Sequence, residues 1–193
     1  VLTYSILPHV PFRRRIADAA YDKGFEVMLH LPMEPVEYPQ INPGQGALLT
    51  SMTPDELIEQ LHRNLETVPH IRGVNNHMGS RLTASSTQLY QIFSVLKKRE
   101  LFFVDSRTTT ETLCEPSARL FQLSFSQRDV FLDNVQQVDA IRKQLDQLIQ
   151  IAESHGEAIG IAHPYEVTVD VLHKMLPEIR KKVDLVPASA LVH

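Results

Sequence analysis

The chain has 193 residues, of which 43 % are hydrophobic and 22 % charged, and its formal net charge is −4. This is the composition of a globular protein with a substantial buried core, and it excludes disordered and fibrous classes. A negative balance without a long basic run also excludes a nucleic-acid surface or an anionic-membrane surface, both of which need a concentrated cationic patch.

The chain opens on the apolar, β-rich "VLTYSIL", which reads as a strand. Because Val1 falls inside that run and no initiator Met precedes it, an upstream portion of the natural protein is expected. "PFRRRIADAAYDKG" follows with helical spacing at Phe12, Ile16, Ala19 and Ala20, Pro11 near its start and Gly24 as a stop. Arg13, Arg14 and Arg15 spread around that helix and read as a solvated face. "FEVMLHL" is the next strand. The Pro- and Gly-rich passage from Pro32 to Gly46 reads as a long loop, expected to line or cover a cleft.

"TPDELIEQLHRNLETV" carries a capping box, with Thr53 as N-cap, Pro54 at the first helical position and Glu56 two further on, followed by apolar Leu57, Leu61 and Leu65. "RGVNN" reads as a short strand, "ASSTQLYQIFSVLKKR" as a helix and "LFFVD" as a strand ending in an acid. "RLFQLSF" and "RDVFLD" read as extended or irregular. "VQQVDAIRKQLDQLIQIAESHG" is a long amphipathic helix stopped by Gly156, "AIGIAH" a strand, "TVDVLHKMLPEI" a helix and "VDLVPAS" a last strand. Apolar strands alternating with helices imply an α/β fold with a parallel sheet covered by helices, in a single domain. The number of units suits a (β/α) barrel lacking a piece better than a small open sheet. No apolar run approaches the roughly 20 residues that span a bilayer. The single cysteine, Cys114, excludes an internal disulfide and any CxxC motif.

In parallel α/β folds, ligands bind at the carboxyl ends of strands. His30 ends "FEVMLH", His77 follows "GVNN", Asp105 ends "LFFVD", Asp129 and Asp133 flank "VFL", and His163 ends "AIGIAH". Each alone reads as a hydrogen-bonded cap; together at one rim they point to a divalent metal that polarises a water or a carbonyl. His9, after the first strand, is a further candidate for the rim. His62, His155 and His173 read as surface or helix-end residues. A nucleophile elbow and a glycine-rich phosphate loop are absent from the sequence.

The blocks "HLPMEP", "GVNNHMGSRLT", "VDSRTT", "RDVFLDN" and "IGIAHPY", in this order over nearly the whole chain, resemble the divergent polysaccharide deacetylases. That resemblance implies a distorted (β/α) barrel of the polysaccharide deacetylase type, here without its first strand, which would carry an Asp-Asp motif. It implies a divalent cation, zinc, as cofactor and a glycan as partner, in an extracytoplasmic setting. "HLPME" is similar to a His-x-x-x-His metal motif with His30 in first place and Glu34 in the second, and His77 is expected to complete the shell as a metal or substrate ligand. Asp105 falls where the superfamily has an acid that orients a base, and His163 where it has the general acid. Asp129 joins the catalytic group by its place at the rim, while Glu34, Asn76, Arg81, Arg107 and Asp133 are expected to face substrate. The implied function is removal of N-acetyl groups from an amino-sugar polysaccharide or cell-wall glycan. A turnover-deficient glycan-binding protein is the alternative, and a metal-dependent phosphoesterase a weaker third reading.

Overall fold

The structure, a computed structural model, describes residues 2–193. Its elements in chain order are β1 (Thr3–Ile6), α1 (Arg13–Asp22), β2 (Glu26–Met33), α2 (Pro54–Leu65), β3 (Ile71–Met78), α3 (Ser86–Lys98), β4 (Phe102–Asp105), α4 (Cys114–Phe121), β5 (Phe125–Gln127), β6 (Val130–Phe131), α5 (Val138–His155), β7 (Gly160–Ile161) and α6 (Glu166–Lys182). It is an α/β fold, with parallel pairing through β1, β2, β3 and β4 and again between β6 and β7. The strands form a five-stranded sheet in the order β1-β2-β3-β4-β5 and a separate two-stranded sheet of β6 and β7. Pairing among the described residues therefore does not make one continuous ring of strands.

The chain divides into two compact units, one of residues up to Ser126 together with Pro187–His193, the other Gln127–Val186. In the first, β2 is buried along most of its length because alternate residues face opposite ways. Leu29, Leu31, Val74 and Phe103 join the buried faces of α2 and α3 in one core. Met28, Phe102 and Val104 are buried outside that cluster, in the alternate positions. The second unit has its own core, built from Val130, Leu132, Ile141, Leu145, Ile149, Val171 and Ile179.

Helix α2 begins as its sequence dictates: Thr53 Oγ1 accepts from the Glu56 N–H and the Glu56 carboxylate accepts from the Thr53 N–H. Leu57, Leu61 and Leu65 are its buried face. Helix α1 departs from expectation, because it buries Ala17 and Ala20 while Phe12, Ile16 and Ala19 are exposed. The small side chains allow α1 to lie close to the sheet, and the bulky ones are left outward. Strand β3 runs on to Met78 and so contains His77.

Two further expectations are corrected. "RLFQLSF" was expected to be extended or irregular, but Arg119–Phe121 close helix α4, whose Pro116 stands in the first turn, where a missing N–H costs nothing. "VDLVPAS" is no strand. Pro187 leads instead into a 3-10 turn at Ala188–Leu191, with the Ala188 N–H donating to Thr3 Oγ1 at 2.9 Å and the Ser189 N–H to Glu26 Oε1 at 3.1 Å. At its end, His193 and Phe125 exchange backbone hydrogen bonds of 3.0 and 3.1 Å. No helix among the described residues is long and apolar enough to cross a membrane.

Candidate functional site

Two polar clusters stand out, one in each unit. The first grows from the register of β2 against β3, which places His30 opposite Asn75 and Pro32 opposite His77. Asn75 and His77 are two residues apart on a strand, so they share a face, and His30 shares it by pairing. His30 Nδ1 and Asn75 Oδ1 are 3.0 Å apart, and His30 Nε2 and His77 Nδ1 are 3.0 Å apart.

Because Asn75 Nδ2 donates to Ser106 Oγ at 3.1 Å, its Oδ1 is the acceptor that faces His30. Ser5 Oγ donates to the same Oδ1. The His30 proton therefore sits on Nδ1 and its lone pair on Nε2, toward His77. Ser106 continues the chain, with Oγ donating to the Asn76 carbonyl at 2.7 Å and its N–H donating to Asn76 Oδ1 at 2.8 Å.

The contact is a hydrogen bond between two imidazoles, and such a pair suits a divalent metal only where its spacing matches that of two ligands on one ion. Nitrogens of two ligands on one tetrahedral zinc stand about 3.3 Å apart, given Zn–N distances near 2.0–2.1 Å. The 3.0 Å between His30 and His77 fits that with a small opening. The Asn75 contact keeps the His30 imidazole in one tautomer. Two imidazoles are half a shell, however. Among the described residues no group of three or more His, Cys, Asp or Glu side chains converges to hold an ion.

Other expected residues of this unit are engaged in structure. Asn76 is fully buried, with Oδ1 on the Ser106 amide and Nδ2 on the Met78 carbonyl, so it braces the ends of β3 and β4 and offers nothing to a substrate. Glu34 is buried as well. Its Oε2 accepts from the N–H and hydroxyl of Thr50, and Oε1 meets Arg81 Nε at 3.3 Å. Arg81 in turn donates from Nη2 to the Val36 carbonyl at 2.8 Å. Pro32 and Met33, expected in the loop, instead end β2, and Glu34 and Arg81 pin the loop that follows it and the turn after β3.

Asp105 ends β4 as expected, and its carboxylate accepts from the Arg107 N–H at 2.8 Å and from Thr112 Oγ1 at 2.7 Å. It folds the turn into α4. Burial, and then the nearby Asp105 charge, push the Cys114 thiol well above its usual range. Arg107 lies in that turn with φ 48°. His9 is drawn to α2, with Nε2 3.0 Å from Asn64 Oδ1.

The second cluster is centred on Asp133. Its carboxylate is buried; Oδ1 lies 3.0 Å from His163 Nδ1, and Oδ2 accepts from the His163 N–H at 2.6 Å and from Thr168 Oγ1 at 3.1 Å. The His163 side chain remains 43 % exposed. Asp133 follows β6 and His163 follows β7, so both stand at carboxyl ends of paired strands, as the sequence led us to expect. Asp133 was expected to face substrate and instead orients the imidazole. Asp129 is the exception to the rim: it precedes β6 and accepts from the Ile159 N–H at 2.7 Å, which latches the amino ends of β6 and β7. That is a correction, since a side chain at a strand's start is structural.

Asn75, Ser106 and Thr168 complete these clusters and were missed in the sequence. For Asn75 a signal existed, its period-two relation to His77; for Thr168, within α6, there was none.

The family model described as "Divergent polysaccharide deacetylase" matches residues 1–192. The uncharacterized protein YibQ of Escherichia coli K12 is 32 % identical over 192 residues, covering 100 % of this chain and 60 % of that protein. An uncharacterized protein of Haemophilus influenzae is 29 % identical over 185 residues, covering 96 % of this chain and 65 % of its own length. The chain thus spans 60 % and 65 % of these two curated relatives. The crystal structure of an uncharacterized protein from Agrobacterium tumefaciens C58 matches with a TM-score of 0.95 at 29 % identity, covering 98 % of this chain and 78 % of that one.

Proposed function

Because the chain belongs to the divergent polysaccharide deacetylase family, we propose that it is a metal-dependent hydrolase that removes N-acetyl groups from an amino-sugar polysaccharide or cell-wall glycan outside the cytoplasm. The observation that carries this reading is the pairing of His163 with the buried Asp133. Cleavage of an acetamide needs a proton on the amine nitrogen as the C–N bond breaks, and a positioned imidazole supplies it. Asp133 holds the Nδ1–H, so Nε2 is the nitrogen left to exchange a proton with the leaving amine. Thr168 and the His163 amide satisfy the other carboxylate oxygen, so the buried charge stays hydrogen-bonded and the ring keeps one orientation.

His30 Nε2 and His77 Nδ1 would hold the cation, zinc by the preference of imidazole for that ion. A cation bound there would supply Lewis-acid chemistry, polarising a carbonyl and lowering the pKa of a coordinated water. Asn75 would keep His30 in the ligating tautomer.

The test uses the full-length protein and measures acetate released from N-acetylated chitooligosaccharides and peptidoglycan fragments, with and without a chelator. We expect chelator-sensitive release, loss of bound metal in His77→Ala, and a fall in rate of about 100-fold or more in His163→Ala. Full activity in His163→Ala would overturn the acid role.

One observation favours a second reading, a glycan-binding protein without turnover. The position of the family's second metal histidine carries Glu34, whose carboxylate is committed to Thr50 and Arg81. Acetate release abolished by chelation would rule this out.

A further inference from the structure

The surroundings of His163 contain more than proton transfer requires. The Phe131 ring lies nearly parallel to the imidazole, with centroids 6.2 Å apart and planes at 13°, and the Arg128 guanidinium covers Phe131 at 4.1 Å from its centroid. Tyr165 sits closer, its centroid 5.6 Å from that of His163 and its plane tilted by 38°. It is 39 % exposed and takes no part in the core of its unit.

Its backbone is nonetheless fixed. The Tyr165 N–H donates to the His163 carbonyl at 2.8 Å, and the Tyr165 carbonyl accepts from the Val169 N–H at 3.0 Å in the first turn of α6. With Pro164 between them, Tyr165 and His163 are held as one rigid corner, and the phenol ring has only two side-chain torsions left to lose. A partly exposed aromatic ring on a fixed backbone beside His163 suits a flat, amphipathic ligand.

A pyranose ring is such a ligand, with C–H groups on its faces and hydroxyls at its edge. Polarised C–H groups are drawn to the negative face of an aromatic ring while the hydroxyls stay in water. We propose that Tyr165 is the stacking face for the pyranose ring whose amine nitrogen His163 protonates. This makes Tyr165 a specificity-determining contact and not a catalytic residue. The inference rests on the reading of His163 as the acid, and it commits the subsite to an N-acetylated amino sugar in pyranose form.

The experiment is calorimetric titration of chitopentaose into the full-length protein, as wild type and as Tyr165→Phe, Tyr165→Ala and His163→Ala, with steady-state kinetics on the same sugar. The phenylalanine variant keeps the ring and should bind like wild type. The alanine variant should bind roughly five- to tenfold more weakly, with KM raised by a similar factor and kcat little changed, the signature of lost ground-state binding. His163→Ala should still bind while losing turnover. Unweakened binding by Tyr165→Ala, or no binding of chitopentaose by wild type, overturns the stacking role. Binding that depends on the Tyr165 ring without any acetate release supports the stacking role and overturns the hydrolase reading, so the two failures are distinct.

Discussion

At the scale of single residues, the hydrogen-bond partner decides what a polar side chain can do. His30 lies inside β2, which runs on to Met33 past the strand end the sequence suggested, and His163 lies just beyond β7; one has its Nδ1 on a neutral amide and the other on a buried carboxylate. The neutral Asn75 fixes a tautomer without adding charge. For the zinc site proposed at His30 and His77, Asn75→Ala is expected to weaken affinity about 10- to 100-fold, the usual cost of removing a bond that orients a ligand, and competition with a chromogenic chelator measures it directly. Cys114 gives a second prediction. Its thiol is pushed well up by burial first and by Asp105 second, so the folded state favours the neutral form. The unfolded thiol ionises near the ordinary value of about 8.5, so this contribution is present below that pH and is lost as pH rises beyond it. The urea midpoint of wild type should fall more steeply than that of Cys114→Ala from pH 7 to 10, and native Cys114 should resist iodoacetamide until the protein unfolds.

At the scale of elements, close approach between neighbours sets the limits. A Cβ added at Gly73 in β3 would lie 2.3 Å from Phe102 Cε2, on a ring that is 6 % exposed. Strand β3 pairs there with both neighbours, Gly73 standing opposite Met28 and Phe102. Gly73→Ala should cost about 1–3 kcal/mol as an overpacked substitution, read from the urea midpoint, and Phe102→Leu should recover part of it. An equal midpoint for Gly73→Ala and wild type would show that the Phe102 ring yields freely. The elements also show how far local pattern carries. The capping box and leucine spacing of α2 were legible because they act within a few residues. The period of α1 was legible and Ala20 is buried as its spacing suggests, but Ala17 from outside that set is buried too while Phe12, Ile16 and Ala19 are exposed, a choice made by packing and not by spacing. Short α4 and the strap after Pro187 were invisible for the same reason: packing stabilises the one, and hydrogen bonds to Thr3, Glu26 and Phe125 hold the other.

At the scale of the whole molecule, the chain leaves its first unit at Gln127 and returns to it at Pro187. Residues 187–193 bond to β1, β2 and β5, so this stretch belongs to the first unit although the second unit precedes it in sequence. Removing 187–193 cuts these four hydrogen bonds, which at a net 0.5–1.5 kcal/mol each amounts to about 2–6 kcal/mol. Thermal unfolding of the truncated protein should show that loss in the first unit, and an unchanged melting profile would refute the strap's structural role.

What the sequence determined by itself is what depends on neighbours along the chain: alternating apolar strands and amphipathic helices, the cap of α2, the stops at Gly24 and Gly156, and the placing of His30, His77, Asp105 and His163 near strand ends. Only the tertiary structure decided which of these polar groups remain available for chemistry. Asn75 meets His30 from 45 residues away, Asp133 meets His163 from 30, and Thr50 claims Glu34 from 16. The physical reason is that a buried polar group must be satisfied by whatever donor or acceptor the fold brings to it, and residues so far apart leave no periodic trace in the sequence.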